Sequence, residues 1–188
     1  MTTTNAIHRV AVLGAGTMGA GIAQVAAAAG CAVSLQDISL FLASKGKTRI
    51  DDALKGQVAK GRMTPPDAAA LLARITPHGS VEEAAYDADL VIEAAPESLE
   101  IKQSLFRLVA AAAPAGAILA TNTSSMSITR LAQDIPHPAR FIGLHFFNPP
   151  PVMKLLEIVR GAATSDETVE TCRALALTWG KDPIVVKD

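Results

Sequence analysis

Aromatic side chains are scarce in this chain: they make up 4% of its 188 residues, with one Trp and one Tyr. A core without large rings must be filled by the small and aliphatic residues that dominate the 49% apolar fraction. That suits parallel strands buried between two layers of helix. Cysteine is rarer still. Cys31 and Cys172 stand apart on apolar stretches, without the spacing of a metal site, and read as reduced core thiols, not a disulfide framework. Charge is balanced, with 17 Lys and Arg against 18 Asp and Glu. No basic field is there to draw nucleic acid or an acidic membrane surface, and neither partner is expected. Apolar stretches break well short of the roughly 18 residues a membrane span requires. Met1–Asn5 lacks the basic and hydrophobic regions of a secretory leader. A cytoplasmic chain forming one domain over residues 1–188 is expected.

What is present is concentrated near the start. Val10-Ala-Val-Leu-Gly14-Ala-Gly16-Thr-Met-Gly19 runs from an apolar strand into glycines spaced G-x-G-x-x-G, and Asp37 follows 18 residues after Gly19. Gly14 permits a tight strand-to-helix turn, Gly16 lets backbone N–H groups reach phosphates, and Gly19 lets the helix press on the strand. Thr17 and Met18 belong to the same turn. The positive end of the helix then faces an anion. Asp37, at the end of the second strand, is placed for ribose hydroxyls, and its carboxylate repels a 2′-phosphate. The next basic residue, Lys45, comes late. These features predict a dinucleotide site for NAD rather than NADP; a plain strand–turn–helix corner is the bland alternative.

Strand-like and helix-like segments alternate throughout, which predicts an α/β fold: a doubly wound, mainly parallel sheet of the Rossmann type with helices on both faces. Ser39 can cap a helix running to about Lys60, and Thr64-Pro-Pro-Asp67 opens another that carries Leu71 and Leu72. This two-helix excursion before Ile75 suits a substrate site or plain packing equally. Further strands are read at Leu90–Glu93, Ala117–Thr121, Phe141–His145, Leu155–Arg160 and Ile184–Val186. The helix from Leu99 to Ala113 repeats apolar residues at Ile101, Leu105, Leu108 and Val109. A last helix, capped by Ser165, shows Val169, Cys172, Leu175 and Trp179 on its inner face.

Ligands of such sheets lie beyond the carboxyl ends of the strands. Glu93, Glu97, the polar loop Asn122–Ser125 and His145 all fall there. His8 is near the terminus, and His78 and His137 lie in proline-flanked loops; only His145 ends an apolar strand. Glu157 has apolar neighbours, and a buried carboxylate needs a partner. If the Phe146–Lys154 turn joins two adjacent strands, Glu157 can meet His145. An imidazole with a carboxylate beside it can take up a proton and tolerate the charge.

Leu13-Gly-Ala-Gly-Thr-Met-Gly-Ala-Gly-Ile-Ala-Gln-Val25, Thr121-Asn-Thr-Ser-Ser125, His145-Phe-Phe-Asn-Pro149 and Met153-Lys-Leu-Leu-Glu157 together resemble the 3-hydroxyacyl-CoA dehydrogenases, in order and over essentially the whole chain. The resemblance implies oxidation of an L-3-hydroxyacyl-CoA to the 3-ketoacyl-CoA with NAD, or the reverse. It implies that His145 is the general base, that Glu157 orients it and stabilises its charged form, that Ser124 hydrogen-bonds the reacting oxygen and that Asn148 supports the pocket. Glu97 and Lys102 then line the nicotinamide side, and Lys60 meets the CoA moiety. For Lys60 and Lys102, a solvated helix charge is an equally good reading.

The chain departs from the family pattern at Gln36, before the ribose acid, which changes little. More important, the family continues past Lys187-Asp188 into a helical domain that covers the acyl group and forms a homodimer. Its absence here is expected to leave an apolar patch around the site. Two other functions stay open: an NAD-binding module with little turnover by itself, and a dehydrogenase of a free hydroxy acid. Acyl-chain length and a dicarboxyl preference are not readable.

Overall fold

A computed structural model describes residues 7–188 of the protein; Met1–Asn5 lies outside the described residues. Eight strands, β1 (Arg9–Leu13), β2 (Ala32–Gln36), β3 (Ile75–His78), β4 (Leu90–Glu93), β5 (Ile118–Thr121), β6 (Phe141–Phe146), β7 (Leu155–Arg160) and β8 (Asp182–Lys187), form one sheet. Their order is β3-β2-β1-β4-β5-β6-β7-β8. All neighbours are parallel except β6 and β7, which run antiparallel. The strand order reverses between β1 and β4, which opens a crevice at their carboxyl ends.

Seven helices cover the sheet: α1 (Thr17–Ala28), α2 (Leu40–Ala59), α3 (Pro65–Ala73), α4 (Val81–Ala85), α5 (Leu99–Ala112), α6 (Ile128–Leu131) and α7 (Asp166–Thr178). Successive side chains of a strand point to opposite faces, so each buried strand feeds two cores. Val10, Val12, Leu35, Ile92, Leu144 and Ile158 pack on one face with α1 and α7 residues such as Ile22 and Cys172. Ala11, Leu13, Val91, Leu119 and Phe141 pack on the other with Phe106 and Val109 of α5. Ile50 and Leu54 of α2 and Leu71 of α3 join the first core, so packing is the role the structure shows for that excursion. Both cysteines are free and buried. Burial raises the Cys31 thiol and pushes the Cys172 thiol up to about 12.

Two readings of the sequence need correction, and one helix went unread. Ile75–His78 is a strand, not a loop: it pairs with β2 at the sheet edge, where a proline is tolerated because no inner ladder bond is lost. The short helix α4 follows it, a segment too brief to show a period. On α5 the buried residues are Lys102, Phe106 and Val109, whereas Ile101 and Leu108 are 46% and 48% exposed. The inward face carries a lysine, which disguised it as the polar side.

Candidate functional site

The crevice begins where β1 ends. Gly14 has φ +98°, and a β-carbon there would lie 2.7 Å from the carbonyl oxygen of Ala94. One at Gly19 would lie 1.7 Å from the carbonyl oxygen of Gly14, so α1 sits directly on the turn. At Gly16 a β-carbon would meet nothing within 4 Å. Gly16 is also the N-cap of α1 and brings no side-chain acceptor, with no acid in the first turn. The leading N–H groups therefore face open space, which fits the pyrophosphate of a dinucleotide.

Asp37 closes the adjacent strand. Its Oδ2 accepts from the Ala15 N–H at 2.8 Å and its Oδ1 from the Ile38 N–H at 2.8 Å. Arg49 Nη1 donates to the Ala15 carbonyl at 2.9 Å. The Ala15 peptide is thus gripped from both sides, by an acid on β2 and a base on α2. Sequence spacing pointed to Asp37 but gave no sign of Arg49, since a basic residue ten places past the Ser39 cap looks like an ordinary solvated helix charge.

Beyond β4 and β5 lies a buried ionic cluster. Glu93 and Lys102 have fully buried side chains, with Lys102 Nζ 2.7 and 2.8 Å from the two Glu93 oxygens. Glu93 also accepts from the Ala95 N–H at 2.6 Å and the Thr121 hydroxyl at 2.6 Å. Lys102 reaches Glu97 Oε2 at 3.2 Å. The other Glu97 oxygen accepts from the Thr123 hydroxyl, and from the Ser125 hydroxyl at 3.4 Å. Burial pushes the Glu97 carboxyl up, but the Thr123 hydrogen bond and the nearby Lys102 ammonium outweigh it and leave the group below its ordinary range. Lys102 is therefore not a solvated helix charge.

His145 and Glu157 face each other across the antiparallel β6–β7 ladder, and Nδ1 of His145 lies 2.7 Å from Oε2 of Glu157. A carboxylate can only accept, so Nδ1 carries the hydrogen, and in the neutral ring Nε2 then has the lone pair. The ring also packs on Phe147, centroid to centroid 4.5 Å. Asn122 Oδ1 accepts from the Phe146 N–H at 2.9 Å, which ties the polar loop to the strand of the histidine.

Met18, Glu97, Ser124, His145 and Asn148 line one open cleft of about 360 Å³. Ser124 and Asn148 are exposed in it, and the Asn148–Pro149 peptide is cis. Thr17 is exposed at the start of α1. Lys60 is exposed at the C-cap of α2 and is not among the cleft-lining residues. Among the larger clefts elsewhere, two stand out. One sits at the amino ends of the strands, lined by Arg9, Asp89 and Arg140 among others, opposite the dinucleotide turn; the other lies between α1 and the start of β8 and includes Arg62 and Lys181. Neither brings a histidine and a carboxylate together. Val152 and Met153 of that second cleft are exposed, as is Ile184, which is in register with Glu157. Among the described residues no cluster of three or more His, Cys, Asp or Glu could hold a metal. No helix there is long and apolar enough to cross a membrane.

Residues 9–188 match the family described as 3-hydroxyacyl-CoA dehydrogenase, NAD binding domain. The chain is 48% identical over 178 residues to a 3-hydroxyadipyl-CoA dehydrogenase of Escherichia coli K12, covering 95% of this chain and 37% of the relative. It is 42% identical to a probable 3-hydroxybutyryl-CoA dehydrogenase of Bacillus subtilis 168, covering 97% and 63%. The crystal structure of a Ralstonia eutropha (S)-3-hydroxybutyryl-CoA dehydrogenase superposes with a TM-score of 0.94 at 42% identity, covering 97% of this chain and 64% of that one. The chain thus spans between about a third and two thirds of these relatives.

Proposed function

This chain belongs to the 3-hydroxyacyl-CoA dehydrogenase family, as its NAD-binding domain, and from that premise we propose that it serves the interconversion of an L-3-hydroxyacyl-CoA and the 3-ketoacyl-CoA. Bound NAD supplies the hydride acceptor at the crevice. The Gly14–Gly19 turn and the start of α1 hold its pyrophosphate, Asp37 holds the ribose, and the repulsion between its carboxylate and a 2′-phosphate favours NAD over NADP. Met18 and Glu97 flank the nicotinamide side. His145 Nε2 takes the proton of the substrate hydroxyl, and Glu157 fixes the tautomer and balances the imidazolium charge. Ser124 hydrogen-bonds the reacting oxygen, Asn148 supports the same pocket, and Lys60 meets the CoA moiety away from the reacting centre. In the reverse direction the same imidazolium returns its proton.

The observation that carries this reading is the 2.7 Å contact between His145 and Glu157, at the mouth of the cleft that Ser124 lines. Relatives named for a C4 and for a dicarboxyl substrate match to similar extents, so the substrate is stated as the L-3-hydroxyacyl-CoA class. The direct test fuses this chain to the remaining part of the Ralstonia relative and adds acetoacetyl-CoA with NADH. Loss of NADH absorbance supports the reading, and a folded, NADH-binding but inert fusion contradicts it. A panel of free hydroxy acids in the same assay separates the two substrate classes.

A second reading applies to residues 1–188 by themselves, and its warrant is the share of the relatives they span together with the openness of the cleft. Alone, they form a cytoplasmic NAD-binding unit with little turnover, because exclusion of water and placement of the acyl chain need a cover. In the whole protein, we place that cover and the homodimer contact in a helical domain of the kind the family resemblance implies. The isolated chain should bind NADH yet oxidise it slowly; turnover equal to that of the fusion would rule this out.

A further inference from the structure

A lysine with no exposed side-chain surface is an expensive core residue, since its ammonium must leave water and the surrounding helix face is apolar. Phe106 and Val109 flank it on α5, and an aliphatic side chain would fill the same space. In this structure Lys102 is wholly covered and does not line the cleft, so its contacts are with its neighbours.

Those neighbours lead in one direction. Glu93 is fixed by the Ala95 N–H, the Thr121 hydroxyl and Lys102 itself. Glu97 is different: its side chain is 39% exposed at the rim and is tethered inward by Lys102. Its free oxygen receives the Thr123 hydroxyl. The Thr123 oxygen in turn accepts from the Met126 N–H at 3.0 Å and lies 3.4 Å from the Ser125 nitrogen. On the other side of Ser124, Asn122 is pinned to the Phe146 N–H. Ser124 and Ser125 are thus the exposed residues between the anchored Asn122–Thr123 pair and Met126.

We propose that Lys102 is a positioning residue: through Glu97 and Thr123 it holds the Asn122–Met126 loop so that Ser124 stays opposite His145. The consequence for turnover rests on the reaction proposed above, whereas the linkage from Lys102 to the loop does not depend on it. Glu93 is the fixed base of the linkage, and Glu97 is the arm that reaches the loop.

Amide hydrogen exchange on the free 188-residue chain tests the linkage, and acetoacetyl-CoA reduction by the fusion described above, carrying the same substitutions, tests its consequence. Thr123→Val removes the acceptor of the Met126 N–H at nearly constant volume, and protection at Met126 should fall about tenfold or more while the strands keep theirs. Thr123→Ser should restore it. Lys102→Met should lower Met126 protection in the same direction; if that variant fails to fold, Thr123→Val and Glu97→Ala carry the test. In turnover, the valine variant should lose about tenfold or more in kcat with KM for NADH within about twofold, since only placement has changed. Unchanged Met126 protection in the folded variants would overturn the linkage. Lost protection with kcat intact would overturn the positioning role. If the unaltered fusion folds and binds NADH but never turns over, the reaction proposed above fails and the exchange result still decides the linkage.

Discussion

His145 and Glu157 are register partners on neighbouring antiparallel strands, 12 residues apart in sequence and 2.7 Å apart at Nδ1 and Oε2. The single antiparallel step in an otherwise parallel sheet produces this meeting. Parallel neighbours need a long crossover, whereas the Phe147–Lys154 turn brings the acid straight back beside the imidazole. Directly opposed side chains of an antiparallel pair lie on one face with β-carbons about 5 Å apart. The pair is therefore held by backbone hydrogen bonds as well as by its own contact.

Asp37→Ala should weaken NADH binding through two losses, the ribose hydrogen bonds and the acceptor of the Ala15 N–H. One hydrogen bond to a charged group contributes about 1.5–3 kcal/mol, so a rise in Kd of at least roughly 10- to 100-fold is expected. Asp37→Asn should keep part of the turn and fall between. Fluorescence titration with NADH and NADPH checks both, and an unchanged Kd would remove Asp37 from the site.

Glu93→Ala should destabilise the fold strongly, because it leaves the Lys102 ammonium buried with only the rim carboxylate of Glu97 nearby. Breaking a buried ion pair on one side costs about 3–5 kcal/mol. The double change Glu93→Leu with Lys102→Met should recover much of that loss in urea unfolding. If the double variant is no more stable than Glu93→Ala, the burial of the pair does not govern stability.

Acid should loosen the loop and the α6 corner. The Glu97 carboxyl, raised by burial but lowered more by Thr123 and Lys102, lies below its ordinary 4.5. Asp188 is likewise raised by burial but lowered further by its Thr129, Ser127 and Ile128 contacts, ending below its ordinary 3.8. For a carboxyl whose folded pKa is depressed, the stabilisation is complete above the unfolded value and disappears as pH falls through the folded one. Urea midpoints should therefore hold steady near pH 6 and drop as the pH passes below about 4.5. Glu97→Gln should show a smaller drop; an identical profile would mean Glu97 does not contribute.

Much of this was legible in the residues. The glycine turn, Asp37, the alternation of strands and helices, and the strand-end position of His145 all follow from local patterns of period and punctuation. The edge strand β3 escaped notice because Pro77 reads as a breaker, and only its place beside β2 makes it a strand. The face of α5 was misjudged for a deeper reason: the buried side of that helix is set by Glu93, which ends the preceding strand β4 and belongs to no helical period. Arg49 and Thr123 were missed similarly. Each is an ordinary polar residue locally and acquires its role from a partner, Ala15 or Glu97, that only the folded chain supplies.

The sharpest test is the turnover of His145→Ala in the active fusion, with acetoacetyl-CoA and NADH as substrates and NADH affinity measured alongside. A positioned general base contributes about 10²–10⁴-fold, so kcat should fall by about 10²-fold or more while the NADH Kd stays within about twofold. Turnover within a few-fold of the unaltered fusion would contradict the assignment of His145 as the group that moves the proton.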